Sequence, residues 1–214
     1  MGNKQTRRED HANRMTKAAT TKPATNIPDI PYEMFFKEAL HRVNQYRNYH
    51  QVKPLTLNAK DGKLAMEDAA TIASTFEREK CPNAISRSEE GVRKEVGQNV
   101  YASTLWSSTN PITLQELNDQ ILFGIDHWYG EVLSAPYDFA APENSLKNPD
   151  GNTQSQNFTQ LVWAGSSSVA FGVSIAKCGN GSWIVLVANF KKPGNVPGTF
   201  ADNVFIGYAN PITG

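Results

Sequence analysis

Two apolar segments late in the chain, joined by a short turn, constrain its fold more than any other feature. The first, VAFGVSIA, places apolar side chains at alternate positions, which is typical of a strand with one buried face: Val169, Phe171, Val173 and Ile175. The second, WIVLVANF, is apolar throughout and indicates a central strand covered on both faces. The intervening CGNG predicts a hairpin turn. These segments therefore predict an antiparallel sheet that needs a layer of protein on each face.

Most of the helical patterns precede this hairpin along the chain. A first helix is predicted to begin at Pro31 and a second to run from about residue 61 to residue 76. Thr113 and Glu116 form a capping box that predicts the start of a long third helix. The segment VGQNVYAS predicts a short strand-like turn, and NFTQLVWAG predicts a short helix. Helices followed by antiparallel strands favour an α+β fold with helices on both faces of the sheet.

The first thirty residues differ in composition from the rest. Residues 1–30 are polar, rich in Ala and Thr and interrupted by proline, so we expect a flexible arm followed by one domain over residues 31–214. Residues 1–22 carry six basic and two acidic side chains, a net charge of 6 − 2 = +4, whereas the whole chain has a net charge of zero. The arm suits an anionic surface, although a solvated tail has the same composition. Neutral overall charge and basic clusters without interleaved aromatics argue against a nucleic-acid partner.

The N-terminus predicts a lipid anchor. MGNKQT fits the N-myristoylation pattern, with Gly2 as the acceptor, and Lys4, Arg7 and Arg8 supply the basic second signal that stable anchoring needs. An unmodified start that happens to contain Gly is the alternative. We see neither the apolar core of a secretory signal nor a run long enough to span a bilayer. We therefore expect a cytoplasmic protein held at a membrane.

The chain has two cysteines, Cys81 and Cys178. They are too few for a disulfide scaffold and neither lies in a C-x-x-C pair, so they predict no zinc knuckle. A cytosolic location would keep both reduced, and a single bridge between them is the alternative.

Five motifs, in order, carry a family resemblance. The segment NFTQLVWAGSS is similar to a signature of the CAP superfamily, which includes plant pathogenesis-related and cysteine-rich secretory proteins and reads His-Phe-Thr-Gln at its start. The other four resemble further family motifs: Val43–Leu55, Gly97–Val100, His127–Val132 and Asn189–Val196. The resemblance covers roughly residues 35–200. The myristoylation pattern, few cysteines and missing secretory signal resemble the intracellular, Golgi-associated branch.

The resemblance implies a three-layer α-β-α sandwich with a central, mainly antiparallel sheet. It also implies a cleft in which two His and two Glu hold a divalent metal, at the positions Val43, Gln98, Glu131 and Asn157. Only Glu131 keeps a ligand that metals bind well, so we expect neither a metal nor another cofactor.

Three neighbouring residues bear on this expectation. His41 lies two positions from Val43 on the same helix, so it should face the opposite side. His127 and Glu131, at i and i+4, are either a hydrogen-bonded surface pair or half a metal site. Asn157 is interpreted as an inherited ligand position, as a helix N-cap, or as both.

The aromatic end of the third helix and the loop after it predict lipid binding. In the family, the corresponding loop is implicated in sterol binding and a groove between helices can take a fatty acyl chain. We assign the lipid contacts to five residues: Tyr129, Leu133, Pro136, Tyr137 and Phe139. The alternative is that these side chains only pack the helix onto the sheet.

The predicted function is a non-enzymatic CAP domain on internal membranes such as the Golgi, binding sterol, fatty acid or anionic phospholipid. No catalytic residue is assigned, because no histidine is convincingly aimed at a nucleophile. The alternatives are a protein-interaction scaffold that forms a homodimer and, less favoured, a divergent hydrolase.

Overall fold

The structure is a computed structural model that describes residues 31–81, 95–105, 112–134, 137–145, 155–179 and 181–208. The predictions for residues 1–30, including lipidation of Gly2, and for Pro136 lie outside these ranges. Within them, no helix has the length and apolar character of a membrane span.

The sheet has four strands in the order β1-β3-β4-β2: β1 Thr56–Leu57, β2 Gly97–Thr104, β3 Ser168–Cys178 and β4 Gly181–Lys191. β4 pairs antiparallel with β3 and β2, and the short β1 pairs parallel with β3. The hairpin and the central position of β4 are as the sequence predicts. The short strand-like turn predicted at VGQNVYAS is instead a full strand, because Gly97–Thr104 pairs with β4 along its whole length.

Six helices surround the sheet in the described ranges: α1 Tyr32–Phe35, α2 Lys37–Tyr49, α3 Ala59–Arg78, α4 Leu114–Ser134, α5 Pro142–Ser145 and α6 Gln156–Leu161. The first predicted helix is divided at Phe36, between α1 and α2. The capping box at the start of α4 is present. The Thr113 hydroxyl accepts from the Glu116 N–H at 3.2 Å, and the Glu116 carboxylate accepts from the Thr113 N–H at 3.0 Å.

α3 covers one face of the sheet and packs directly on β3. Gly172 is required there, because a Cβ at this position would lie 1.9 Å from the carbonyl oxygen of Ala65. Small buried residues flank it on the same face of β3: Ala170, Ser174 and Ala176. The prediction that β3 has only one buried face is therefore wrong, since its small residues allow α3 to approach closely.

The opposite face of the sheet carries the larger core, under α1, α2, α4 and α6. Phe171, Leu186 and Phe190 project from the sheet into this core and are fully buried. Trp128 of α4 is also fully buried, and its indole N–H donates to the carbonyl oxygen of Val100 at 3.1 Å. The molecule is thus a three-layer α-β-α sandwich with a mainly antiparallel sheet, as the sequence predicts.

A disulfide joins Cys81, just after α3, to Cys178 at the end of β3, across 97 residues of sequence. The expectation that both thiols are reduced is wrong for this structure, and the alternative of a single bridge is present. The disulfide links the end of α3 to the β3–β4 hairpin.

Because the bridge closes a long loop, its removal should destabilise the domain. We expect reduction, or the change Cys178→Ser, to lower the free energy of unfolding by about 2–4 kcal/mol in urea denaturation. The doubly substituted Cys81→Ser, Cys178→Ser chain is the control, and added reductant should not change its stability. Equal stability of the oxidised and reduced chains would contradict a structural bridge.

Candidate functional site

The short helix α6, which begins the NFTQLVWAG motif, is held at both ends by charged side chains from other helices. Six residues are too few to form a stable helix alone in water. Its free N–H groups face the end of α4, and its last carbonyl groups face α2. The site is therefore built from contacts distant in sequence.

Glu131 of α4 caps the N-terminus of α6. One carboxylate oxygen accepts from the backbone N–H of Asn157 at 2.9 Å and of Phe158 at 3.1 Å. The other accepts from the side-chain amide of Asn157 at 2.6 Å. A negative charge at a helix N-terminus is also favoured by the helix dipole. The N-cap interpretation of Asn157 is wrong, because Asn157 lies in the first turn and Glu131 provides the cap.

Arg47 of α2 binds the other end of α6. Its guanidinium is fully buried and donates to four carbonyl oxygens at 2.9 to 3.3 Å, those of Lys53, Leu161, Trp163 and Ser166. A cation at the C-terminal carbonyl groups of a helix complements the helix dipole. Burial lowers the pKa of Arg47 to about 10, which still leaves it charged at neutral pH. Arg47 lies within the Val43–Leu55 motif, but no role for it was predicted from the sequence.

The four positions that resemble a metal tetrad do not form a set of metal ligands. Val43 is fully buried in the core and has no donor atom. The amide of Gln98 donates to Asn189, which in turn donates to Asp68 of α3, so Gln98 lies on the α3 face of the sheet. Of the three positions with a polar side chain, the structure brings Glu131 and Asn157 together. The placement of Gln98 in the cleft is not supported.

Asn99, one residue on, occupies the place expected for Gln98. It is 1% exposed, and its side-chain amide donates to the carbonyl oxygen of Asn157 at 2.9 Å. Successive side chains on a strand point to opposite faces, so the shift of one position decides which amide reaches α6. The Asn99 Oδ1 atom is buried without a hydrogen-bond partner among the described residues.

The neighbouring histidines supply no metal ligand. His41 is exposed, and the ring of His127 packs against Tyr101 at a centroid distance of 5.3 Å. Glu131 faces α6, and no hydrogen bond joins it to His127, so the predicted surface pair is wrong. In the described part of the chain, no three His, Cys, Asp or Glu side chains are close enough to hold a metal ion. These residues do not fit a divalent metal.

Beside α6 lies an aromatic cluster of His50, Tyr129, Tyr137, Phe139 and Phe158. The His50 ring contacts Phe139 and Phe158 at centroid distances of 6.4 and 5.4 Å, and its Nε2 atom lies 3.2 Å from the Tyr129 hydroxyl. Its Nδ1 atom lies 2.6 Å from the carbonyl oxygen of Phe205. Burial lowers the pKa of His50, which favours a neutral ring. No pattern in the sequence pointed to His50 or Phe205.

The predicted lipid contacts are divided between this cluster and the surface. Tyr129 stacks on Tyr46 at 3.8 Å, and Tyr137 is 5% exposed and packs against Phe139 at 4.9 Å. Tyr129 and Tyr137 therefore pack against other residues of the domain, as the alternative interpretation predicts. The Tyr137 hydroxyl is buried without a hydrogen-bond partner in the described ranges. Leu133 is 82% exposed and contributes to the surface.

A separate apolar groove lies at the other end of α4. It has a volume of about 530 Å³ and lies between the start of α1 and α2 and the start of α4. Its lining residues are mostly apolar: Pro31, Met34, Phe35 and Leu114, with Glu38, Gln115 and Asn118 beside them. Met34 is 69% exposed, so this groove is open to solvent.

Comparisons with known proteins agree with the motifs. The model of the CAP family, described as the cysteine-rich secretory protein family, matches residues 40–190. The human Golgi-associated plant pathogenesis-related protein 1 is 29% identical over 174 residues, which cover 80% of this chain and 93% of that protein. Protein PRY2 of Saccharomyces cerevisiae is 40% identical over 81 residues, 37% of this chain. The match spans only 21% of PRY2.

Solved structures support the fold. BmVAL-1 superposes with a TM-score of 0.51 at 18% identity, over 81% of this chain and 82% of that one. Na-ASP-1 gives a TM-score of 0.52 at 13% identity, over 85% of this chain and 45% of that one. Likeness at this identity supports a shared architecture and nothing about ligands.

The cap at the N-terminus of α6 can be tested by removing one acceptor. We expect Glu131→Gln to lower the free energy of unfolding by about 1–3 kcal/mol, because a buried N–H group of α6 loses a charged acceptor. Chemical denaturation measures this, with Glu67→Gln on the exposed side of α3 as the matched control. A chain as stable as the control would show that Glu131 does not hold α6.

At the C-terminal end of α6, the contribution of the planar Arg47 guanidinium to stability can be tested. We expect Arg47→Lys to cost about 3 kcal/mol or more, because an ammonium cannot reach four carbonyl groups spread around a planar guanidinium. Arg42→Lys, at a half-exposed pair with Asp126, is the control and should cost less than about 1 kcal/mol. Similar losses in the two variants would refute a special role for Arg47.

Proposed function

This chain belongs to the CAP family, and we propose that it is a non-enzymatic, membrane-associated member that binds lipid. The observation that carries the proposal is the open groove of about 530 Å³ lined by Pro31, Met34, Phe35 and Leu114. Burial of apolar surface there would stabilise a bound chain by roughly 25 cal/mol per Å². The ligand class that fits such a lining is the acyl chain of a fatty acid or other lipid.

The arrangement around Glu131 supports a role without metal chemistry. Its carboxylate already accepts three hydrogen bonds from α6, so coordination of an ion would have to displace the helix. A general acid or base needs a group free to exchange a proton near a substrate. Glu131 is instead used to hold structure. We therefore assign the inherited cleft to stability and lipid binding to other surfaces.

The aromatic cluster supports a second lipid contact. Leu133 is exposed beside Tyr129 and one helical turn further along α4, and Phe139 is half-buried against His50. The buried Tyr137 hydroxyl lacks a hydrogen-bond partner in the described ranges and could donate to the single hydroxyl of a sterol. We propose that sterol, if bound, engages this cluster and that acyl chains engage the groove.

The location is proposed from the N-terminus and from the likeness to a Golgi-associated human protein. Gly2 in the pattern MGNKQT, followed by three cations, suits attachment to the cytosolic leaflet of an internal membrane. The disulfide between Cys81 and Cys178 makes the opposite prediction, an oxidising compartment. Measuring whether Cys81 and Cys178 are oxidised in protein taken directly from cells decides between the two locations.

A second candidate function is a protein-interaction scaffold that forms a homodimer. It is favoured by exposed apolar side chains near the aromatic cluster, where Phe205 contacts His50: Leu133, Ile206 and Tyr208. A dimer that forms with rising concentration in ultracentrifugation, in a chain that binds no lipid, would favour the scaffold.

The groove and the cluster can be separated by two exposed substitutions. We expect Met34→Glu to weaken binding of a fluorescent fatty acid about tenfold, because it places a carboxylate in an apolar lining. Leu133→Glu, the matched control at the other end of α4, should leave this affinity unchanged and weaken sterol binding instead. Equal fatty-acid affinity in wild type and Met34→Glu would exclude the groove as the acyl site.

The anchor is tested by vesicle flotation of protein made in eukaryotic cells. We expect Gly2→Ala to abolish flotation with phosphatidylserine vesicles, since the basic residues alone give marginal binding. Asn3→Ala keeps the acceptor glycine and should float like wild type. Unchanged flotation of Gly2→Ala would refute the anchor.

A further inference from the structure

The apolar groove contains one carboxylate, and this charge bears on which head group a bound lipid can carry. Among the described residues that line the groove, only Glu38 is charged. Its side chain is exposed and makes no ion pair or hydrogen bond with another described residue. The head group of a lipid bound in the groove therefore meets a carboxylate that is free to interact with it.

The basic side chains closest to Glu38 in sequence do not supply a counter-charge within the groove. Arg42, one helical turn further along α2, donates to both carboxylate oxygens of Asp126 at 2.8 and 2.6 Å. Lys37 is exposed and is not part of the lining. Neighbouring residues on a helix point roughly 100° apart, so Lys37 and Glu38 lie on different faces.

The amide side chains of the lining add hydrogen-bond acceptors. The amide nitrogen of Gln115 donates to the carboxylate of Asp119 at 2.8 Å, which leaves its carbonyl oxygen to accept. Asn118, one turn after Leu114 on α4, makes no side-chain hydrogen bond with another described residue. A head group that donates several hydrogen bonds is better matched to these atoms than one that only accepts.

The start of α4 also lies at the groove, and a helix N-terminus by itself favours an anion. Here the capping box already occupies it, because the Glu116 carboxylate accepts from the N–H and the hydroxyl of Thr113 at 3.0 and 2.9 Å. This carboxylate offsets the partial positive charge of the helix end. The carboxylate of a free fatty acid would therefore meet repulsion from Glu38 without a compensating cation.

We propose that the groove takes a long-chain aliphatic amine, a lipid whose head group is a protonated primary amine, in preference to a free fatty acid. The alkyl chain lies against the apolar lining, and the ammonium group donates to Glu38 and to the amide oxygens of Gln115 and Asn118. An ammonium has three N–H donors and no acceptor, which matches this set. The inference rests on the proposed lipid site and names the class of lipid that the site selects.

Three ligands with the same tail test the preference: dodecylamine, dodecanol and dodecanoate. Each is titrated into the full chain at neutral pH to displace Nile red, a neutral dye. We expect dodecylamine to bind about tenfold more tightly than dodecanoate, with dodecanol between them, because attraction by Glu38 becomes repulsion. Equal affinities of the amine and the carboxylate would overturn the inference but keep the lipid site. If none of the three displaces the dye, the lipid site fails, and the inference with it.

Substitution of Glu38 locates the ammonium group. We expect Glu38→Gln to reduce the preference for dodecylamine over dodecanoate to less than about threefold, and Glu38→Lys to reverse it. Glu67→Gln removes the same charge from the exposed side of α3 and should keep the wild-type preference. A preference that survives in Glu38→Gln would overturn the inference, because the ammonium would then lie elsewhere.

A short amine separates a lipid from a protein partner. Butylamine has the same head group and resembles a lysine side chain, but it buries little apolar surface. We expect it to bind at least about a hundredfold more weakly than dodecylamine, since each buried methylene contributes about 0.8 kcal/mol. Equal affinities of the two amines would assign the groove to a basic side chain of a protein and overturn the inference.

Discussion

The contact on which the rest of the site depends is the capture of one short helix between a buried cation and a carboxylate. Arg47 donates to carbonyl groups at and just after the end of α6, and Glu131 accepts from the N–H groups at its start. Both side chains oppose the partial charges of the helix dipole. They join α2, α4 and α6 on one face of the sheet. The same contacts position the aromatic cluster, because Phe158, which belongs to the cluster, directly follows Asn157.

Much of the fold could be predicted because its signals are local. The β3–β4 hairpin and the capping box at Thr113 are each determined by a few adjacent residues. The role of Glu131 was not predictable, because its partners lie 26 and 27 positions away and depend on how α4 meets α6. Gln98 was misplaced for a related reason, since one step along a strand turns a side chain to the other face.

The chemistry of the family cleft and the chemistry of this chain differ in one respect. A carboxylate that could bind an ion here accepts hydrogen bonds from a helix. Of its supposed partners, Val43 has no donor atom and Gln98 bonds to Asn189 toward α3. The proposed lipid recognition needs no such ligands. It needs apolar surface, and the groove beside α1 and the cluster beside α6 provide it at opposite ends of α4.

Calorimetric titration of zinc into the full chain tests the central claim most directly. Since the carboxylate of Glu131 is already used to hold α6, the account predicts no saturable site in the micromolar range, in wild type or in Glu131→Gln. A micromolar site in wild type that disappears in Glu131→Gln would show that this carboxylate still binds metal, and would contradict the account.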